Sequence, residues 1–125
     1  MMASILIIED DPWLADCYRV WLAAAGYAVR TVGDAQAALD ALDAVRPDVI
    51  LLDMFLPHAN GVQVLHTLQS YEDWADIPVL LCSSSFPDNM PDLTAYGVRR
   101  VVAKSDLSPS RLQDELKEVL LYAAL

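Results

Sequence analysis

Apolar and polar residues fall into blocks along this 125-residue chain. Four short runs, Ile5 to Ile8, Val49 to Leu52, Val79 to Cys82 and Val101 to Ala103, are continuous rather than alternating, the pattern of strands buried on both faces. A fifth, Tyr27 to Val32, alternates more and reads as an edge strand. Segments of helical period lie between them. The first starts at Pro12 with Asp11 as its N-cap, places Leu14, Cys17, Tyr18, Trp21 and Leu22 on one face, and stops at Gly26. The second is capped by Asp34, turns Ala38, Leu39, Leu42 and Val45 inward and Asp40 and Asp43 outward, and is closed by Pro47. The third runs from near Gly61 through Val64, Leu65 and Leu68 toward Tyr71. The last opens at Ser108-Pro109 and buries Leu112, Leu116, Val119 and Leu120. Between the fourth and fifth runs, Pro87 and Pro91 leave room only for a short helix, Pro91 to Tyr96, closed by Gly97.

Strict alternation of strands and helices predicts an α/β fold of one domain over residues 1–125. Its expected form is a doubly wound five-stranded parallel sheet with right-handed crossovers, helices on both faces and a short fourth helix. All strands of such a sheet point one way, so the residues following them gather along a single edge, where doubly wound folds bind ligands. Here those residues are Glu9 and Asp10, then Asp53, Ser83 and Lys104. Three carboxylates brought together repel one another, and a divalent cation removes the conflict. An all-oxygen donor set favours Mg²⁺ or Mn²⁺ over Zn²⁺. Lys104 can neutralise a further anionic oxygen and Ser83 can donate to another, which leaves a place for a phosphoryl group. Asp53 is the natural nucleophile, through an aspartyl phosphate.

A formal net charge of -10 disfavours direct contact with nucleic acid or an anionic membrane. No apolar run approaches the roughly 20 residues that span a bilayer, and no secretory leader is recognisable, so a soluble cytoplasmic protein is expected. Cys17 and Cys82 form no redox or zinc motif and read as buried free thiols. His58 and His66 read as surface residues rather than ligands. Trp13, Trp21 and Trp74 read as packing or partner-surface aromatics, with Trp21 the core member.

From Ser4 to about Leu121 the chain resembles the receiver domain of two-component response regulators, a chemotaxis-type flavodoxin-like fold. The resemblance is carried by "ILIIEDDP", "DVILLDMFLPHANG", "IPVLLCSS" and "GVRRVVAKS" in that order. It implies strand order 2-1-3-4-5 and makes Asp53 the phosphoacceptor, with Pro57 and Gly61 in their usual places. It makes Asp10 a direct metal ligand, the backbone carbonyl of Phe55 another, and Glu9 an outer-shell acid. Ser83 becomes the hydroxyl that senses the phosphoryl group, and Lys104 the lysine of the site. The implied reaction is Mg²⁺-dependent transfer to Asp53 from a phosphohistidine on a sensor histidine kinase or phosphotransfer protein, switching an unidentified downstream protein. The chain would be a signalling module rather than an enzyme.

Two positions depart from that pattern. Ser105 follows the lysine where the family commonly has a cis proline, and a non-proline cis bond costs about 2.5 to 4 kcal/mol, so a trans peptide is expected. Val101 stands where an aromatic switch residue is usual. Both favour an alternative, a degenerate receiver acting as a constitutive protein-interaction module. A phosphohydrolase using Asp53 would want a second acid at position 55, which is Phe. A flavin site would need hydroxyls where Glu9, Asp10 and Asp11 stand.

Overall fold

Three of the four unbroken aliphatic runs become strands with almost no solvent contact, while the fourth leaves Val101 exposed. In a computed structural model that describes residues 2–56, 59–86 and 92–123, the chain runs through β1 (Ser4–Ile8), α1 (Pro12–Ala24), β2 (Ala28–Val32), α2 (Ala35–Ala44) and β3 (Val49–Asp53). Two short strands, β4 (Phe55–Leu56) and β5 (Ala59–Asn60), lead into α3 (Gly61–Gln69). The chain continues through β6 (Val79–Ser83), a 3₁₀ turn at Thr94–Tyr96, β7 (Val98–Ala103), a second 3₁₀ turn at Lys104–Asp106 and α4 (Pro109–Ala123).

The main sheet has the order β2-β1-β3-β6-β7 and is parallel throughout. Leaving aside the antiparallel pair β4 and β5, this is the expected 2-1-3-4-5 arrangement. Helices cover both faces. Tyr18 and Leu22 of α1 pack with Leu112, Leu116 and Val119 of α4 on one side. Ala38 and Leu42 of α2 pack with Val64, Leu65 and Leu68 of α3 on the other.

Helix starts follow the predicted caps. The Asp11 carboxylate accepts from the Trp13 and Leu14 amides at 2.9 and 3.3 Å, and Asp34 accepts from Ala37 at 2.8 Å. The end of α2 departs from expectation. Arg30 on β2 donates to the carbonyl of Ala41 at 2.9 Å, which also accepts the Val45 amide at 3.1 Å, and to the carbonyl of Val45 at 2.7 Å, an acceptor just past the end of the helix. Val45 is therefore an extended cap residue facing solvent, not an inward one.

Other boundaries move for local reasons. β7 begins at Val98, and the register steps from Val98 opposite Val79 to Arg100 opposite Leu80, a bulge at Arg99 that carries the polar stretch within the strand. The short fourth helix reduces to the 3₁₀ turn, whose entry is fixed by the Asp92 carboxylate accepting from the Thr94 amide at 2.9 Å. Gly97 ends that turn at φ 85°, a left-handed conformation that glycine adopts without strain. Pro87 and Pro91, named in the reading of that segment, lie outside the described residues. α3 stops at Gln69 rather than Tyr71, Cys17 and Trp21 are only partly buried, and Cys82 is fully so.

Between β7 and α4 the buried Glu115 accepts from Arg100 at 2.7 and 3.1 Å and from Arg111 at 3.0 Å. Arg100 chiefly, with Arg111 adding to it against the cost of burial, holds this carboxyl below its ordinary 4.5. A folded-state value below the unfolded one stabilises fully above pH 4.5, and that contribution disappears as the pH falls through the lower value. Urea unfolding between about pH 6 and pH 3 should therefore show a fall in stability that is shallower in Arg100→Ala than in the wild type.

Candidate functional site

The parallel sheet delivers its acidic strand ends to one place. Asp53 is the last residue of β3 and Ser83 the last of β6, while Glu9 follows β1 and Lys104 follows β7. The pairing of Ile8 with Leu52, Asp53 with Cys82 and Ser83 with Ala103 keeps these ends level. Glu9 and Asp53 are each only 3% exposed, and Asp10 is exposed.

Lys104 reaches both buried acids, with Nζ 2.9 Å from Asp53 Oδ2 and 2.6 Å from Glu9 Oε1. The first contact is a hydrogen bond. The second is a close ion pair. The other oxygens are steadied by the backbone: the Asp11 amide donates to Glu9 Oε2 at 3.3 Å and the Phe55 amide to Asp53 Oδ1 at 3.1 Å.

Burial first, and then the facing Asp53 carboxylate, push Glu9 up to about 7 against the opposing pull of Lys104. For Lys104, burial would lower the value, but its pairings with Glu9 and Asp53 outweigh burial and leave it raised. The lysine is thus held as an ammonium. Burial, with Asp53 adding to it, pushes the neighbouring Cys82 thiol up to about 12, so it carries no thiolate chemistry at neutral pH.

Carboxylate oxygens of Glu9, Asp10 and Asp53 lie within 4.8 Å of one another. One ammonium cannot balance three carboxylates. These residues fit a hard divalent cation with oxygen ligands, reached from solvent on the Asp10 side.

Ser83 is fully buried at the same edge, yet its hydroxyl is engaged within its own turn, donating to the Ser85 carbonyl at 2.6 Å. The Lys104–Ser105 peptide is trans, as expected, and the following 3₁₀ turn closes through a Leu107 amide to Lys104 carbonyl bond of 3.1 Å. Val101 is 47% exposed on β7. His66 is on the surface, paired with the Tyr96 hydroxyl at 3.3 Å, while Pro57 and His58 lie outside the described residues. Sequence reasoning missed the β4–β5 pair and the Phe55 amide. The available signal was Asn60 three residues before Gln63, the spacing of a reciprocal helix cap.

A doubly wound sheet whose carboxyl edge joins buried acids to one lysine defines the flavodoxin-like receivers of two-component signalling. The chain belongs to the response regulator receiver domain family, which matches residues 5–117. The DNA-binding response regulator MtrA of Mycolicibacterium smegmatis is 39% identical over 70 residues, covering 56% of this chain and 31% of that protein. The chemotaxis protein CheY4 of Vibrio cholerae superimposes with a TM-score of 0.87 at 26% identity, covering 96% of this chain and 100% of that one. The receiver domain of sensor histidine kinase PA1611 from Pseudomonas aeruginosa, whose structure has a magnesium ion coordinated in the active-site cleft, shares the fold. Its TM-score is 0.84 at 23% identity, with 96% and 98% coverage. The chain spans 40% or less of the length of curated relatives that it matches. It is a signalling module of two-component systems, and among the described residues no helix is long and apolar enough to cross a membrane.

Proposed function

We propose that Asp53 accepts a phosphoryl group from a phosphohistidine on a sensor histidine kinase or phosphotransfer protein, and that the modified chain changes its binding to a downstream protein. One observation carries this reading. Lys104 bridges the buried Asp53 and Glu9, and a carboxylate oxygen of the exposed Asp10 lies within 4.8 Å of theirs. Asp10, Asp53 and the Phe55 carbonyl would hold Mg²⁺, with Mn²⁺ competent in the same place and Glu9 in the outer shell. Bound there, the cation would neutralise charge on the carboxylates and on the incoming phosphoryl oxygens.

The chain's own groups do the rest. An Asp53 oxygen forms the new O–P bond as the P–N bond breaks, and the departing imidazole nitrogen keeps that electron pair and takes up a proton. The nucleophile needs no base, because it is already a carboxylate. Lys104 offers its ammonium to a phosphoryl oxygen, so catalysis is positioning and charge neutralisation. The Ser83 hydroxyl exchanges the Ser85 carbonyl for a phosphoryl oxygen, which alters the turn after β6 and carries the state of the site to the surface. The constitutive alternative draws on Val101 and Ser105, but Lys104 reaches both acids with Ser105 behind it.

Intact-mass measurement after incubation with acetyl phosphate and Mg²⁺ tests this. The wild type should gain one phosphoryl group, and Asp53→Asn or chelation should prevent the gain. A wild type that stays unmodified would overturn the reading.

A further inference from the structure

We infer that Asn60 and Gln63 are positioning residues for the phosphoacceptor: the reciprocal cap that opens α3 fixes the strand pair whose Phe55 amide holds Asp53. This rests on Asp53 as the acceptor. Among the described residues two groups hold its carboxylate, Lys104 on Oδ2 at 2.9 Å and the Phe55 amide on Oδ1 at 3.1 Å. The lysine stands on a flexible four-carbon stem and must turn toward an incoming phosphoryl oxygen, so the amide is the fixed anchor.

What fixes the amide is not burial, since Phe55 is 49% exposed. Nor is it the strand pair alone. β4 and β5 share only the pairs Phe55 with Asn60 and Leu56 with Ala59, and a two-stranded ladder of that length has little stability of its own. Its second strand, however, ends in a closed capping box. The Asn60 amide donates to Gln63 Oε1 at 3.0 Å, and the Gln63 amide donates to Asn60 Oδ1 at 2.9 Å. The Gly61 amide then donates to the Met54 carbonyl, tying the start of α3 back to the residue between β3 and β4. Beyond the cap, α3 buries Val64, Leu65 and Leu68 in the core. Rigidity thus passes from the core through α3, the cap and β5 to the Phe55 amide and Asp53 Oδ1.

An ordinary cap would affect stability only. The test compares Gln63→Ala with Gln63→Glu, which keeps an acceptor oxygen for the Asn60 amide and suits a helix N-terminus. Amide exchange by NMR in metal-free protein, Mg²⁺ affinity, and the rate of acetyl-phosphate-driven phosphorylation at saturating Mg²⁺ are measured in each. In Gln63→Ala the Phe55 amide should exchange faster while β3 amides keep their protection, Mg²⁺ affinity should fall because the Phe55 carbonyl and Asp53 are among its ligands, and phosphorylation should still slow about tenfold at saturating Mg²⁺. Gln63→Glu should restore all three. Wild-type phosphorylation in Gln63→Ala, or a Phe55 amide as protected as in the wild type, would overturn the inference. A wild type that takes no phosphoryl group would instead sink the reading of Asp53, and the Phe55 amide would still decide whether the cap positions it.

Discussion

Lys104→Ala is expected to slow phosphoryl transfer to Asp53 by about two to three orders of magnitude, the usual cost of removing a preorganised group aimed at developing charge. Among the described residues the lysine is the one cation placed against both buried acids, at 2.6 Å from Glu9 and 2.9 Å from Asp53. Without it, two carboxylates that are each 3% exposed face one another unopposed. Breaking a buried pair by removing one partner costs about 3 to 5 kcal/mol before the site relaxes. Protonation of Glu9, already pushed up to about 7 by burial and by Asp53, will relieve part of that. The variant should therefore unfold at lower urea in metal-free buffer, and added Mg²⁺ should restore more stability to it than to the wild type. Lys104→Arg should recover stability better than rate, because a planar guanidinium supplies the charge but not a compact ammonium able to turn between acids and phosphoryl oxygen. Initial rates of acyl phosphate formation by intact mass, beside urea titrations with and without Mg²⁺, check both parts. Near wild-type transfer in Lys104→Ala would remove the lysine from the reaction.

That Glu9, Asp53 and Lys104 could be placed together from sequence follows from topology. Continuous aliphatic runs in a βα alternation admit only a parallel sheet, and a parallel sheet puts every strand's last residue on one edge. What the pattern could not reveal were features set by single side chains. Val45 has the right period for an inward residue, but Arg30 takes its carbonyl and the helix ends one residue earlier. β7 opens with Val98 and two arginines, whose charges hid a strand that Glu115 of α4 holds through Arg100. The pair β4 and β5 is too short to show any alternation in "MFLPHANG". It is legible only through the cap that follows it, Asn60 with Gln63, and the capping geometry needs the fold before it says anything about Asp53.

The same corner bears on the other large effect, Gly61→Ala, which should destabilise the protein by about 1 to 3 kcal/mol and depress transfer further than that loss explains. A Cβ on Gly61 would stand 2.9 Å from Met54 Cα, 3.2 Å from the Asp53 carbonyl oxygen and 3.3 Å from that of Met54. All three are backbone atoms, so no side chain can turn aside to make room. Relief has to come from opening the corner, which stretches the Gly61 amide to Met54 carbonyl bond and shifts the peptide carrying Asp53. An ångström of movement there is enough to misplace a nucleophile. Gly33 provides the control near the same edge: a Cβ there meets only the Glu9 carbonyl oxygen at 3.9 Å, an ordinary contact. Gly33→Ala should leave transfer unchanged. Urea unfolding of the two variants, with phosphorylation rates measured well below their unfolding midpoints, separates simple loss of folded protein from misplacement of Asp53. If Gly61→Ala kept both wild-type stability and wild-type rate, the corner would be yielding rather than rigid, and a cap acting through it could not position the acceptor.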